Sequence, residues 1–260
     1  MTASPPAAMR LQVHAIPHIP EIQPGDDLAH VILRALEAAD MNLQTGDVLV
    51  ITQKVVSKAE ECWVDLTDVE PTRRAQQVAA DTGKDPRLVE VILQQSRGVI
   101  RWRKGVLITE TNHGWICANA GVDRSNVATP DREVVLTLPE DPDRSAREIR
   151  AALMEATHAD VAVIISDTHG RAWRLGTVNL AIGIAGMDPI LDVRGQKDRF
   201  GYTMRVTRIA RADELAAAAG LLSGQAGEGL PVVRIRGAHY TRSDGQAVDM
   251  QRPIEKDLFR

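Results

Sequence analysis

The sequence predicts a mixed α+β fold of two interlocked lobes, in which mixed and antiparallel sheets are flanked by helices. Segments with the 3.6-residue apolar period of a helix alternate with short β-branched runs, and hairpin signals interrupt that alternation. No low-complexity linker divides the 260 residues. We therefore expect one domain of two lobes over residues 11–245, with a loose leader over residues 1–10 and a polar tail over residues 246–260.

In the first half of the chain, a helix is predicted to begin after Asp27, a typical capping residue. Apolar residues then follow at helical spacing up to Asp40. The β-branched run VLVITQKVV at residues 48–56 is typical of a buried strand, and we expect that strand to end at Ser57 and Lys58. Two proline-initiated helices and a hairpin are predicted next, over residues 71–82, 86–95 and 99–122, with a turn at residues 112–114.

In the second half, an amphipathic helix over residues 143–156 is predicted to precede the apolar strand DVAVIISD at residues 160–167. Residues 177–187, TVNLAIGIAGM, fit either a packed strand or a helix close to another backbone, because glycines interrupt the apolar period. The remaining predicted elements are an alanine-rich helix at residues 214–223, a flexible turn at residues 224–229 and a last strand at residues 231–237.

Composition argues against several classes of function. The chain has 31 basic and 35 acidic residues and only 3% aromatic residues, so it lacks the basic field and the stacking side chains typical of nucleic-acid binding. No apolar run approaches the roughly 18 to 20 residues of a membrane span, and the first residues lack the features of a secretory signal. Cys62 and Cys117 have neither metal-site nor disulfide-framework spacing. We expect a cytoplasmic protein that binds neither nucleic acid nor membrane.

Chemistry is predicted at three polar clusters, because the common nucleotide-loop, dinucleotide, zinc-protease and serine-hydrolase motifs are absent from the sequence. The first is ISDTHGRAWR at residues 165–174, where a strand is expected to deliver Asp167 and Thr168 into a turn. A carboxylate beside a hydroxyl suits Mg²⁺ or Mn²⁺, and the nearby arginines suit phosphate, although a capped turn with surface arginines explains the same residues. We expect His169 to lie in that turn, and Cys117 to be a core residue without chemistry.

The other two clusters also follow apolar runs. NAGVDRSNV at residues 119–127 places Asp123 and Asn126 after a strand. This combination binds metal or ribose, and its alternative is an ordinary polar loop. TQKVVSKAE at residues 52–60 supplies lysines and a hydroxyl suited to a nucleotide phosphate, and its alternative is a strand end with solvated lysines.

Five blocks of sequence follow one another along the chain in the order found in a known family. They are PEIQPGDDL, GDVLVITQKVVSKAE, ANAGVDRSNV, ISDTHGRAWRLGTVNLAIGIAGM and GLPVVRIRG. Together they resemble the coenzyme F420-0:γ-glutamyl ligase family over residues 11–237. The resemblance implies a GTP-dependent amide ligase that adds L-glutamate through γ-linkages to the precursor F420-0 by way of an acyl phosphate. It also implies Mn²⁺ or Mg²⁺ at two sites, K⁺, and a homodimer of stand-alone ligase domains.

The resemblance also assigns roles to individual residues. It implies one metal on Asp123 and Asp167 and a second on Thr168 and Gln225, and it makes Asp123, Asp167 and Lys58 catalytic. The residues that it implies for guanine-nucleotide binding are Ile19, Pro20, Glu21, Ile22, Gln53, Lys58 and Asn126.

Three positions depart from the family pattern. Gln53 stands where a small serine is common, His169 where an aromatic residue is usual, and Gln225 where glutamate is frequent, which weakens the second metal assignment. A metal-dependent nucleotide phosphohydrolase and a non-catalytic GTP-binding module are the alternative functions. Burial of the segment at residues 177–187 is expected within the lobe or against a second subunit, and the resemblance favours the second subunit.

Overall fold

A five-stranded mixed sheet forms the centre of the larger lobe. The computed structural model describes residues 9–127 and 132–258, so residues 1–8 of the predicted leader and residues 259–260 of the predicted tail lie outside the described residues. The strands are β1 (Gln12–Ala15), β2 (Val48–Thr52), β3 (Trp63–Asp65), β4 (Ser96–Arg103), β5 (Val106–Thr111), β6 (Ile116–Ala118), β7 (Val134–Leu136), β8 (Ala162–Arg171), β9 (Arg174–Ala185), β10 (Ile190–Asp192), β11 (Arg208–Ala210) and β12 (Val232–Arg236). The helices are α1 (Leu28–Ala38), α2 (Gln53–Ala59), α3 (Arg73–Thr82), α4 (Pro86–Gln94), α5 (Pro142–Thr157) and α6 (Arg211–Ser223). These elements confirm the predicted mixed α+β class.

In the five-stranded sheet the strand order is β1, β12, β2, β8 and β9, with β2 and β8 parallel and the other neighbours antiparallel. Val50 of β2 lies between Ile164 of β8 and Val233 of β12. Helices α1, α2 and α5 cover one face of the sheet, and α6 covers the other. Because both faces are covered, residues 48–51 of β2 and residues 162–165 of β8 are continuous apolar runs rather than alternating ones.

Helix α1 begins where the sequence predicts. The Asp27 carboxylate accepts a hydrogen bond from the His30 amide at 3.0 Å, and the apolar side of the helix packs on the sheet. Helix α5 begins at Pro142, one residue before the predicted start, and is capped by Asp141. In the described part of the chain, no helix is long and apolar enough to cross a membrane.

The smaller lobe is formed by the chain between α2 and α5. It contains the sheet β4-β5-β6, the strand pair β3-β7 and helices α3 and α4, around a core that includes Leu66, Leu107 and Val135. The predicted hairpin belongs to the three-stranded sheet. Its strands turn twice, at residues 104–105 and at residues 112–115, and only the second turn was predicted.

The structure corrects the predicted strand at residues 48–56. Strand β2 ends at Thr52 rather than at Ser57 and Lys58, and the following residues form α2. The buried side chains of α2 recur at helical spacing, and the Ser57 hydroxyl donates to Gln53 Oε1 at 2.7 Å across one turn. One β-branched run therefore contains a junction between strand and helix.

The structure also corrects the predicted turn at Asp167 and Thr168. Both residues lie inside β8, which pairs with β9 as far as Arg171, and His169 lies in the same strand. The chain reverses at Trp173, whose φ of 65° is left-handed. Pairing with β9 supplies backbone hydrogen-bond partners that extend β8 beyond its apolar part.

The segment at residues 177–187 is a strand rather than a helix. It forms most of β9, and from Ala181 onwards its residues are buried in the larger lobe. A Cβ atom on Gly183 would lie 2.3 Å from the Pro142 carbonyl oxygen, so glycine permits the close approach of α5 to this strand. The predicted burial is confirmed for this part of the segment, and it occurs within the lobe.

Candidate active site

A cleft of about 700 Å³ opens at the end of the central sheet. The parallel strands β2 and β8 both direct their carboxyl ends towards it, which is where sheets of this kind commonly bind ligands. The lining residues come from five segments, at residues 19–22, 52–58, 117–126, 166–179 and 223–231. Every residue that the sequence predicts to bind nucleotide or metal lies in this lining.

Lys58 provides a nearly buried positive charge in the cleft. Its side chain is only 7% exposed, and Nζ forms an ion pair with the Glu21 carboxylate. Glu21 is 73% exposed and lies on the loop at residues 19–22. Because water already reaches Glu21, an arriving phosphate group can replace its carboxylate at Lys58 with little loss of free energy. The pair therefore neutralises the Lys58 charge through a partner that is free to move away.

Asp123 is held by a second lysine, Lys54, which lies one turn earlier on α2. Lys54 Nζ lies 2.8 Å from Asp123 Oδ2 and donates to Ser125 Oγ at 2.7 Å. The Ser125 amide and hydroxyl donate to the two carboxylate oxygens at 2.8 and 2.9 Å. Burial raises the pKa of Asp123, but these hydrogen bonds and the Lys54 charge outweigh burial and hold the pKa below its ordinary value. Asp123 is therefore a charged carboxylate in a fixed orientation.

Asp167 has a buried histidine as its neighbour. His169 Nε2 lies 3.1 Å from Asp167 Oδ2, and the His169 side chain is only 6% exposed. Burial lowers the pKa of His169, but interactions with Asp167 and Cys117 outweigh burial and raise the pKa to about 10. Cys117 is buried, as predicted, but it also lines the cleft.

Thr168 contacts two amide side chains. Its Oγ1 lies 3.0 Å from Gln225 Oε1 and 3.1 Å from Asn179 Oδ1, and Gln225 Nε2 donates to Asn179 Oδ1 at 3.0 Å. The Thr168 hydroxyl has one proton and faces two amide oxygens. It can donate to only one of them, so the other contact brings two oxygens together without a hydrogen bond. Sequence reasoning missed Asn179. Its position opposite Thr168 follows only when β8 and β9 are paired.

The oxygen donors of the cleft fit hard divalent metal ions. The carboxylates of Asp123 and Asp167, the hydroxyl of Thr168 and the amide oxygen of Gln225 are ligands that Mg²⁺ and Mn²⁺ accept. Within the described residues, no three His, Cys, Asp or Glu side chains are grouped so that they could hold one ion together. Hydroxyl and amide oxygens would therefore belong to the ligand set, as the converging oxygens around Thr168 indicate.

Three buried polar atoms of the cleft residues have no hydrogen-bond partner among the described residues. They are Asn119 Oδ1, Ser166 Oγ and Ser223 Oγ. Asn119 and Ala120 also have a left-handed backbone, each with φ of 54°. Unsatisfied polar atoms and unusual backbone angles concentrate where proteins bind ligands. The cleft therefore has the features of a site for a polar ligand.

The loop after α6 is a part of the site for which the residue pattern predicted only a flexible turn, although the family resemblance implied Gln225 as a metal ligand. Residues 223–231 line the cleft, and Asn126 Nδ2 donates to the Ala226 carbonyl oxygen at 3.0 Å, which joins this loop to the segment that carries Asp123. The signal was present as SGQAGEGL, because repeated glycines let a backbone approach a ligand closely. No common phosphate-loop motif marks it, and its place in the cleft follows from the fold.

Comparison with known proteins agrees with this geometry. The sequence model for the family described as F420-0:Gamma-glutamyl ligase matches residues 17–237, which include all five segments of the cleft lining. The chain belongs to the F420-0:gamma-glutamyl ligase family. This confirms the family suggested by the five sequence blocks, and it makes the chain a member of a family of ligases that form carbon–nitrogen bonds.

Relatives in this ligase family match over nearly the whole chain. A protein of Methanothermobacter thermautotrophicus named coenzyme F420:L-glutamate ligase is 46% identical over 254 residues, which cover 97% of this chain and 100% of that protein. The protein of the same name from Methanopyrus kandleri is 45% identical, over 96% of this chain and 98% of its own. That of Methanocaldococcus jannaschii is 42% identical, over 85% of this chain and 88% of its own.

Proposed function

We propose that this member of the F420-0:gamma-glutamyl ligase family is a GTP-dependent ligase. It joins the amine of L-glutamate to the terminal carboxylate of coenzyme F420-0 by γ-linkage, through an acyl phosphate. The observation that carries the proposal is the cleft that brings together a buried lysine, two separately held carboxylates and a cluster of amide and hydroxyl oxygens. Phosphoryl transfer is catalysed mainly by positioning and electrostatics, and these groups can supply both.

In this proposal, GTP binds between the loop at residues 19–22 and α2. Lys58 donates to phosphate oxygens after Glu21 is displaced, and Gln53 and Asn126 supply polar contacts to the nucleotide. The glycine-rich loop at residues 223–231 brings backbone groups to the same ligand.

Mn²⁺ or Mg²⁺ would be held by Asp123 with Asp167, and at a second position by Thr168 with Gln225. When bound, these ions neutralise the charge that develops on the phosphoryl group during transfer. The Ser125 amide and hydroxyl fix the Asp123 carboxylate in the orientation that binding needs, whereas Lys54 occupies it until the cation arrives. K⁺ is also part of the proposal, without assigned residues.

The proposed reaction has two steps. A carboxylate oxygen of F420-0 attacks the γ-phosphorus of GTP, GDP leaves, and an acyl phosphate forms. The glutamate amine then attacks the acyl carbon, inorganic phosphate leaves with the bonding electrons, and the amine loses a proton. Lys58 contacts the transferring phosphate throughout, and the chain contributes no covalent intermediate of its own.

A homodimer is proposed for the assembly. Because the buried part of β9 packs within its own lobe, another apolar surface must supply the contact. Trp173 and Leu175, at the tip of the β8-β9 hairpin, are almost fully exposed and adjoin the cleft residue Thr177. We also propose that the enzyme acts in the cytoplasm, where both cysteines stay reduced.

Mass spectrometry of F420-0 incubated with the protein, GTP, Mn²⁺ and L-glutamate tests the activity. The expected result is a product heavier by one or more glutamyl residues, with one GDP and one phosphate released for each. GTP hydrolysis that needs neither F420-0 nor glutamate would support a metal-dependent phosphohydrolase instead. Binding of GTP without any product over hours would support a non-catalytic GTP-binding module.

A further inference from the structure

A histidine lies directly behind one of the proposed metal-binding carboxylates. His169 and Asp167 are two residues apart in β8, and His169 Nε2 lies 3.1 Å from Asp167 Oδ2. An ionised carboxylate can only accept hydrogen bonds, so the proton of this contact is on Nε2. The contact fixes the plane of the Asp167 carboxylate, and with it the direction in which the other oxygen points.

The histidine ring is itself fixed by its surroundings. Its side chain is almost fully buried, so the ring has little room to turn away from Asp167. A further carboxyl group, that of Asp213 in α6, accepts a hydrogen bond from the Ala181 amide at 2.9 Å. Burial raises the pKa of Asp213, and the His169 charge lowers it in part. The His169 ring is therefore held in a buried position, and it takes no part in the proposed reaction.

We propose that His169 is a positioning residue that orients the Asp167 carboxylate for a divalent cation. The inference rests on the proposed function, because it requires a cation at Asp167. Groups that hydrogen-bond to a metal ligand set its orientation, and their removal typically weakens metal binding by about 10- to 100-fold. His169 would contact neither the cation nor the substrates.

Mn²⁺ binding to the full chain without nucleotide, measured by electron paramagnetic resonance of free Mn²⁺, tests the inference. His169→Phe keeps a flat ring but removes the donor, and we expect it to weaken Mn²⁺ binding by about 10-fold. His169→Gln places an amide N–H near the position of Nε2, and we expect binding within about threefold of the wild type. His30→Phe, at an exposed position on α1, is the matched control and should bind Mn²⁺ as the wild type does. Equal losses in His169→Phe and His169→Gln would show that ring packing, rather than the donated proton, sets the affinity, and would overturn the inference.

Unfolding temperatures separate a positioning role from a folding defect. If His169→Phe does not fold, the ¹⁵N spectrum of the His169 imidazole in the wild-type chain replaces the binding measurement. We expect this spectrum to show a proton on Nε2. A proton on Nδ1 alone would overturn the inference. Wild-type affinity for Mn²⁺ in a folded His169→Phe variant would overturn the inference and leave the proposed ligase intact. A wild-type chain that binds no Mn²⁺ would instead contradict the proposed metal site and, with it, this inference.

Discussion

The two lysines of α2 lie one turn apart and face the same cleft, yet their charges are paired in different ways. Lys58 is paired with Glu21, a carboxylate that is 73% exposed on a loop. Lys54 is paired with Asp123, which is 39% exposed and is itself held by Ser125. One pair can open towards a ligand, whereas the other is part of a fixed network. The comparison shows that a lysine's role depends on how firmly its partner is held.

The largest effect is expected when a proposed metal-binding carboxylate is removed, either Asp123 of the fixed Lys54 pair or Asp167, its partner in the proposed site. Asp123→Asn and Asp167→Asn should each lower the rate of ligation by more than about 100-fold, because a hard cation loses an anionic ligand while packing changes little. Ligation rates at saturating Mn²⁺, with unfolding temperatures, check this. Asp192→Asn, which changes a surface carboxylate paired with Arg194, is the control and should keep wild-type activity. Near wild-type ligation by either cleft variant would remove that residue from the metal site.

The next effect concerns Lys58, whose ion pair with Glu21 can open towards a ligand. Lys58→Ala should raise the KM for GTP by about 10- to 100-fold, because a charged contact to phosphate contributes roughly 1.5 to 3 kcal/mol. The KM for F420-0 should change far less. Steady-state kinetics with each substrate varied in turn measure both values. A GTP dependence equal to that of the wild type would show that Lys58 only pairs with Glu21.

The sequence predicts that Asp123 and Lys58 belong to the site, but it does not predict which carboxylate each lysine pairs with. Asp123 and Lys58 could be singled out because polar residues after apolar runs stand at the edge of a buried sheet. The contact between Lys54 and Ser125 joins residues 71 positions apart, and only the folded chain brings them together. Since either lysine could equally have ended a strand in solvent, the residue pattern left their roles open, and the family resemblance assigned a role only to Lys58.

The errors in the fold have the same physical origin. The run that contains β2 and the start of α2 is rich in β-branched residues, and the burial of Gln53 and Ser57 on one side of a helix is decided by tertiary packing. Strand β8 continues through polar residues because β9 pairs with it, so Asp167 lies in a strand rather than in a turn. Local pattern predicted the apolar part of each element well and its polar end poorly.

A third prediction sharpens the contrast between the two lysines. Lys54→Met should make Mn²⁺ bind more tightly in the absence of nucleotide, on the order of 10-fold, because Lys54 competes with the cation for Asp123. Lys58→Met should leave this affinity unchanged, since Lys58 is paired with Glu21 instead. Titration of free Mn²⁺ by electron paramagnetic resonance gives both values. If both variants bind Mn²⁺ equally, the two lysines do not differ as proposed.

The Lys54 pair should also appear in the pH dependence of stability. The pKa of Asp123 is lowered in the folded chain, so its contribution is present above the unfolded pKa of about 4 and is lost as pH falls through the folded pKa. Lys54→Met should therefore reduce the free energy of unfolding at pH 7, and the difference from the wild type should shrink on acidification. Urea unfolding at several pH values between 7 and 3 measures this. A difference that does not depend on pH would assign the lost stability to packing.

The smallest effect is expected at Glu21, the exposed carboxylate that is paired with Lys58. Glu21→Gln removes the charge that competes with phosphate for Lys58, so GTP should bind about two- to threefold more tightly. The free energy of unfolding should change by less than about 0.5 kcal/mol, because exposed ion pairs contribute little to stability. Calorimetric titration with GTP and urea unfolding measure the two quantities. Weaker GTP binding by Glu21→Gln would mean that Glu21 contacts the nucleotide itself, and the Lys58 pair would then be part of the bound state rather than a contact that opens.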